Sequence, residues 1–282
     1  MPETIQASIY DFPQYYELLF GSDWRAEFHF LRGCFERHAT RKVRKVFEPA
    51  CGTGRLLLQF AKAGNKVSGN DLNEKAVAYC NERLRKHGFS KSVAVGDMAD
   101  FRLQRPVDAA FNTINTFRHL PTEATAEAHL KCMAAALAPG GIYALGLHLL
   151  PTRGPHDDEE SWIARRGHVQ VCSRMWSKRV DRKGRMEYLG MTLDIWMPTK
   201  HFRIEDEMHY RTYTAVQMSD LLSRVPELEH AATYDFAYDL KKPVKIGPMT
   251  QDVVLILRRT LSSCGPNSNQ IKSQSCQRNE IS

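Results

Sequence analysis

Three carboxylates in the first hundred residues each close a short apolar run. Glu48 leads into Glu48-Pro49-Ala50-Cys51-Gly52-Thr53-Gly54, Asp71 closes the next run, and Asp97 closes a third in Gly96-Asp97-Met98. Gly52 and Gly54 have no Cβ, so the backbone can turn tightly and a ligand can lie against it. The helix that follows points its N-terminus at the same place. A Gly-x-Gly pair alone is equally an ordinary strand-to-helix turn, and each acid alone is equally a loop residue. Three acids at successive strand ends, with the glycines after the first, describe a nucleoside-sized pocket.

The acids also specify the ligand. A dinucleotide site has a third glycine where this chain has Leu57, and Glu48 sits badly beside a pyrophosphate. It sits well beside a cation. Asp71, followed by Leu72, can accept both hydroxyl protons of a ribose. Asp97 can take the amino protons of an adenine while Met98 packs against the ring. S-adenosylmethionine, with a sulfonium, an ammonium and no phosphate, meets these requirements.

A second set of polar residues ends the fourth apolar run, in Asn112-Thr113-Ile114-Asn115-Thr116-Phe117-Arg118-His119-Leu120. In an open parallel sheet this segment faces the transferred methyl. Asn115 is a candidate contact for the methionine end of the cofactor. His119 is the candidate base or orienter; a helix-start histidine satisfied by backbone is an equal reading. Thr113 and Ile114 stand where amino-directed DNA and glutamine methyltransferases carry prolines, and no Pro-Cys pair offers a cytosine-attacking thiol. No His, Cys or carboxylate set has ligand spacing, so no metal is expected.

These residues need a frame, and the hydrophobic periodicity supplies one. Residues 15–37 carry apolar side chains at helical spacing, interrupted at Gly21-Ser22, which predicts two leading helices. Strands over 43–47, 67–69, 93–95, 107–111 and 142–150 then alternate with helices over 55–63, 73–87 and 123–137. Asn73 is a helix cap, Gly64 and Gly88 are helix stops, and Pro139-Gly140-Gly141 ends the third of these helices. Alternation of this kind predicts a parallel sheet with right-handed crossovers.

After Leu150 the pattern changes. Residues 151–160 read as a polar loop. Runs over 168–180, 185–196 and 202–211, the first two joined by Asp181-Arg182-Lys183-Gly184, predict three antiparallel strands. A last helix over 215–224 and two closing strands near 231–236 and 253–258 follow, and the polar tail from 262 predicts disorder. The expected fold is α/β: a doubly wound, mostly parallel seven-stranded sheet with leading helices and an inserted antiparallel three-stranded lid. The expected division is a helical cap over 1–40, a cofactor core over 41–150, a substrate lid over 151–213, the last helix and closing strands over 214–260, and the tail over 261–282. Trp162, Arg174, Trp176, Glu207 and Arg211 are the lid's candidates for the acceptor, although such residues on a half-exposed sheet are as often packing or surface.

The 282 residues are 43% hydrophobic and 25% charged, enough for a full core. Nothing approaches the roughly 20 consecutive apolar residues of a membrane span. Seven scattered cysteines and no signal-like leader favour a reducing, cytoplasmic location. The net charge of +7 gathers around residues 37–45 and 165–185. Those clusters read as an anionic partner such as nucleic acid, or as solvated faces; the neighbouring acids favour the second reading.

Residues 43–150 resemble the class I S-adenosylmethionine-dependent methyltransferases. Residues 48–54 are similar to the first motif of that family, with Ala50 at a place that is often glycine; Asp71 matches the second-strand acid and Asp97-Met98 the adenine motif. The layout to Arg259, with Tyr10-Asp11, Tyr15-Tyr16 and Arg211-Thr212-Tyr213-Thr214, resembles small-molecule methyltransferases of the glycine N-methyltransferase type. That resemblance implies that Tyr16 covers the methionine end of the cofactor. It also implies methyl transfer to an N or O nucleophile of a small molecule. An RNA methyltransferase, or a cofactor-binding protein without catalysis, are the alternatives.

Overall fold

The structure is a computed structural model and describes residues 3–153 and 159–261. The tail over 262–282, and residues 154–158 of the polar loop expected over 151–160, lie outside the described residues.

The chain opens with a short strand, β1 (Glu3–Gln6), a 3-10 turn (Ile9–Asp11) and two helices, α1 (Pro13–Phe20) and α2 (Arg25–His38). The alternating part runs β2 (Lys45–Pro49), α3 (Arg55–Lys62), β3 (Lys66–Asp71), α4 (Glu74–Lys86), β4 (Val93–Val95) and β5 (Val107–Asn112). A second 3-10 turn (Thr116–His119), α5 (Glu123–Ala136) and β6 (Leu137–His148) complete it. Four long strands follow, β7 (Glu159–Arg166), β8 (Val169–Asp181), β9 (Met186–Met197) and β10 (Lys200–Arg211). The described chain closes with α6 (Ala215–Ser223), β11 (Leu228–Tyr234) and β12 (Asp252–Arg259).

The helix boundaries follow from local chemistry. The Asn73 side chain accepts the Ala76 N–H at 3.0 Å to start α4. Thr122 and Thr214 form capping boxes with Thr125 and Gln217. Gly64 and Gly88 take the left-handed conformation that stops α3 and α4.

Seven strands form one sheet in the order β11-β12-β6-β5-β2-β3-β4, parallel from β6 to β4 and antiparallel at β12 and β11. Phe30, Leu31, Phe35, Leu57 and Phe60 from α2 and α3 cover one face. Leu130, Met133, Met218 and Leu221 from α5 and α6 cover the other. Strand order reverses between β2 and β5, and a crevice forms at such a reversal outside the carboxyl ends of the strands. Glu48, Asp71 and Asn112 are delivered there.

Two details differ from the sequence reading. Pro139-Gly140-Gly141 does not separate α5 from the next strand: β6 begins at Leu137 and pairs with Val107, loops outward, and resumes at Ile142 against Ala109. Backbone pairing with β5 captures residues that the turn chemistry marked as a break. β2 likewise runs on to Pro49, because Glu48 and Pro49 pair with Gly69 and Asn70 of β3.

The inserted sheet departs further. It has five strands, in the order β1-β10-β9-β8-β7, rather than three. β7 lay within and beyond the expected loop, and β1 arrives from the chain's beginning to pair in parallel with β10. Val171, Leu193, Ile195, Phe202 and Ile204 on its inner face enclose Ile9, Leu18 and Leu19 of the leading segment. α1 is thus held against this sheet, while α2 packs on the seven-stranded one. Among the described residues no helix is long and apolar enough to cross a membrane.

Candidate active site

Between β2 and α3 the backbone is left-handed at Ala50 (φ 49°), Gly52 (φ 52°) and Gly54 (φ 68°). A Cβ at Gly54 would lie 2.2 Å from the Cys80 Sγ, so that position must be glycine. A Cβ at Gly52 would meet nothing within 4 Å, which leaves open space above the loop. Ala50 holds its conformation against a cost of about 1–2 kcal/mol.

Asp71 braces this loop. Its Oδ2 accepts the Gly52 N–H at 2.7 Å and its Oδ1 accepts the Asn73 N–H at 2.8 Å. Burial raises its pKa, and the two backbone N–H groups oppose the rise. Each oxygen retains a second lone pair for a ligand hydroxyl.

Glu48 stands opposite. Its Oε2 is buried and has no hydrogen-bond partner. Burial pushes its pKa well above the carboxylate range, against the pull of Arg55. Arg55 itself is held by Glu27 and by the Asp23 carbonyl at 2.7 Å. Glu17, also buried, accepts the Thr53 hydroxyl at 2.6 Å and pairs with Arg83 at 2.7 Å. The leading helices are therefore clamped onto the glycine loop by charge. Tyr16 is half-buried beside these groups, its ring 5.6 Å from Tyr10 and 4.8 Å from Phe20.

An orphaned carboxylate oxygen, a braced carboxylate with spare lone pairs and an open glycine cradle fit a ligand with an ammonium and a ribose. The far end of the crevice is mixed. Leu72 and Val95 are exposed apolar residues beside Asp71 and offer a surface for a ring. Asp97 is exposed and its Oδ1 accepts the Ala99 N–H at 2.8 Å. Met98 does not lie open as expected: it is buried in the core under α5, and His129 holds its carbonyl at 2.9 Å.

At the end of β5, Ile114 (φ 58°) and Asn115 (φ 64°) are both left-handed. Asn115 Oδ1 accepts the His148 backbone N–H at 2.8 Å, which orients the amide so that Nδ2 meets His148 Nδ1 at 3.1 Å. His148 Nε2 lies 3.3 Å from Asp252. Asn115, expected at the cofactor's methionine end, is thus tied to β6. His119 is half-buried, with Nε2 held by the Tyr10 hydroxyl at 2.9 Å. Burial, then the neighbouring Arg118 charge, pushes its pKa down to about 4. It is a neutral acceptor rather than a base for neutral pH.

Beside these residues, between the two sheets, opens a narrow cleft. Its lining includes Asn115, Glu160, Trp176, Glu187 and Tyr210. Arg118 and Glu187, both buried, pair at 2.5 Å across the cleft's base. Of the lid residues expected at the acceptor, Trp176 lines this cleft and Trp162 packs edge-on against Phe20 at 5.4 Å. Arg174, Glu207 and Arg211 do not line it and are each taken by a carboxylate or a lysine. Arg174 pairs with Glu159 at 2.8 Å, Glu207 with Lys178, and Arg211 with Glu123 at 3.0 Å. The reason is strand alternation: Glu207 and Arg211 share the face of β10 opposite Met208 and Tyr210, whose side chains are buried inward. Tyr210 was legible from that same alternation. Tyr10, Arg118 and His148 had no comparable signal.

Residues 46–141 match the family described as Methyltransferase domain. The chain is similar to the dTDP-3-amino-3,4,6-trideoxy-alpha-D-glucopyranose N,N-dimethyltransferase of Streptomyces venezuelae. The identity is 27% over 206 residues, covering 72% of this chain and 82% of that protein. Among solved structures it is similar to Streptomyces venezuelae DesVI (TM-score 0.70, 20% identity, 89% and 99% of the two chains). It is equally similar to the sugar N-methyltransferase KedS8 from Streptoalloteichus sp ATCC 53650 (TM-score 0.70, 18% identity, 91% and 95%). At those identities the structures share the fold.

Proposed function

Taking the chain as a class I S-adenosylmethionine-dependent methyltransferase, which its methyltransferase domain over residues 46–141 makes it, we propose that it methylates an amine nitrogen of a small molecule. The observation that carries this reading is the acidic, aromatic cleft between the two sheets, next to the carboxyl ends of β5 and β6. The Streptomyces relative, named as an N,N-dimethyltransferase of an amino sugar, supports a nitrogen acceptor.

When bound, S-adenosylmethionine supplies a methyl already activated on a sulfonium. The residues of this chain then have to bind, align and exclude water, and alignment alone can contribute roughly 7–11 kcal/mol. In this reading Glu48 faces the ammonium and Asp71 the ribose, with Leu72 and Asp97 flanking the adenine. Tyr16 and Tyr10, carried on the leading segment, close the crevice from above. Tyr210 and Met175 flank the acceptor's carbon frame. Residues 41–150 would be the cofactor-binding part and residues 151–213 the acceptor cover, with 1–40 contributing to both.

The basic residues do not favour a nucleic-acid acceptor. Arg174, Lys178 and Arg185 each face a carboxylate, and Arg41 pairs with Asp108 at 2.8 Å.

The test is methyl transfer from labelled S-adenosylmethionine to a panel of amines, alcohols and phenols, with Asp71→Ala as a cofactor-site control. Transfer confined to hydroxyl acceptors would overturn the nitrogen assignment.

A further inference from the structure

The peptide bond between Pro49 and Ala50 is held from both sides by buried asparagine side chains. Its carbonyl accepts the Asn112 Nδ2–H at 2.8 Å, and its N–H donates to the Asn70 Oδ1 at 3.3 Å. Asn112 ends β5 and Asn70 lies one residue short of the end of β3, so the two grip β2 from its two neighbours. They are 2% and 5% exposed. The ladder between β2 and β5 ends at Phe47 and Ala110, and the Asn112 amide spans the gap where the strands part. Asn70 does more. Its backbone carbonyl accepts the Cys51 N–H at 2.9 Å, and its Nδ2 donates to the Asp97 carbonyl at 3.2 Å. With the Gly52 N–H on Asp71, three successive amides of the glycine loop end on Asn70 and Asp71.

Both asparagine bonds act on the left-handed Ala50 (φ 49°). Alanine favours negative φ. The local motion that returns it there is a flip of the preceding peptide plane, a coupled rotation about ψ of Pro49 and φ of Ala50. The Pro49 ring already fixes its own φ. A flip turns the carbonyl and the N–H together, so it breaks both bonds at once and leaves the buried amides without partners. Asn112 also carries a cost of its own, because its Oδ1 is buried with no hydrogen-bond partner. A leucine of similar size would avoid that cost, so packing alone does not account for an asparagine there.

We infer that Asn70 and Asn112 are positioning residues for the cofactor: they lock the Pro49–Ala50 peptide, so that the glycine loop stands formed before the cofactor arrives. Asn70 also ties the loop to the strand end that carries Asp97. A preformed loop spares the ligand the cost of ordering it. This role rests on the glycine loop being the cofactor cradle.

The test is the affinity of the full chain for S-adenosylhomocysteine, read by calorimetry, in Asn70→Leu, Asn112→Leu and Ala50→Gly, singly and combined. Each leucine variant should bind about 5- to 30-fold more weakly, the bias of an alanine against the left-handed region. Ala50→Gly alone should stay within about threefold of the unaltered protein. In the Asn112→Leu background it should restore most of the loss, since glycine holds positive φ unaided. A leucine variant that only melts lower, at unchanged affinity, overturns the inference; so does an Asn112→Leu loss that Ala50→Gly leaves in place. Where a leucine variant does not fold, amide exchange of the unaltered protein decides. The Ala50 amide should be as protected without ligand as with S-adenosylhomocysteine, and rapid exchange that only the ligand slows overturns the inference. Asp71→Ala separates this role from the wider reading. Weak binding in Asp71→Ala beside full affinity in both leucine variants refutes the asparagine role alone. Full affinity in Asp71→Ala refutes the cradle, and the asparagine role with it.

Discussion

Tyr10 and His119, 109 residues apart in sequence, meet at 2.9 Å between the phenol oxygen and Nε2. Burial raises the pKa of Tyr10 and lowers that of His119, so the phenol donates and the imidazole accepts. The contact joins the leading segment to the end of β5. It also identifies which ring nitrogen is engaged and therefore what His119 can do.

His119, with its pKa near 4 in the folded chain, binds a proton less readily than in the unfolded chain, where the value is about 6.5. Between those values the unfolded state holds more protons, so stability falls as pH drops from about 6.5 to about 4. His119→Gln should flatten the melting temperature over that window by roughly 2–3 kcal/mol of pH-dependent stability. The variant should also show the same pH–rate profile above pH 6. A new or lost inflection near neutrality would restore His119 as a base.

Glu48 has the opposite sign. Its pKa is raised in the folded chain, so the folded state retains a proton that the unfolded state gives up above about 4.5. Stability is therefore lost as pH rises from there to the raised value. Glu48→Gln removes this cost and should raise the melting temperature of the ligand-free protein at pH 7. The same change should weaken S-adenosylmethionine by about 1.5–3 kcal/mol, the scale of a charged hydrogen bond. For the unaltered protein, affinity should climb with pH until the raised pKa is passed. Equal cofactor affinity in Glu48→Gln, read by calorimetry, would contradict the assignment.

The Arg118–Glu187 pair is buried on both sides. Removing one partner leaves a charge without its counter-ion, so Arg118→Met or Glu187→Met should each cost roughly 3–5 kcal/mol. The double replacement should recover most of that loss. Denaturant midpoints of the two single variants and the double variant measure the coupling. Additive losses would show that the pair does not act as a unit.

Ile114 is β-branched and left-handed at φ 58°. Such strain costs about 1–3 kcal/mol, and glycine gives back roughly 0.5–1 kcal/mol of that in unfolded-state entropy. Ile114→Gly should leave stability unchanged or raise it by up to about 2.5 kcal/mol, and should slow turnover because Asn115 loses its fixed neighbour. A variant with lower stability and full turnover would remove any role for the strain.

The glycine loop and its two flanking acids were legible because each depends on neighbours in sequence. Glu48 precedes its own turn, and Asp71 reaches Asn73 just beyond it and Gly52 across one helix-plus-strand unit. Asn73, Gly64 and Gly88 set helix ends by local hydrogen bonds and local conformation, and these too read directly. β1 did not read, since four residues with three exposed side chains carry little pattern; its pairing with β10 comes from the other end of the chain. The acceptor side was hard for the same reason. Tyr10, Arg118, His148 and Glu187 converge from four separate elements, and Glu207 lies on the face of β10 opposite Tyr210. Alternation along β10 held the needed information, and applying it favours Tyr210 over Glu207.

The position of β12 bears on how the chain is made. This strand lies inside the seven-stranded sheet, between β6 and β11, yet it is the last strand in the described sequence. A nascent chain that has completed the parallel strands still presents β6, buried along almost its whole length in the native state, as an open edge. Residues 252–259 must be synthesised before that edge can close, about a hundred residues after β6. In the interval an apolar strand with free N–H and C=O groups is available to other chains, the condition that promotes misassociation. Truncations that end before β12 should therefore accumulate as aggregates rather than as folded cofactor-binding fragments, even though Glu48, Asp71 and Asp97 all lie in the part retained.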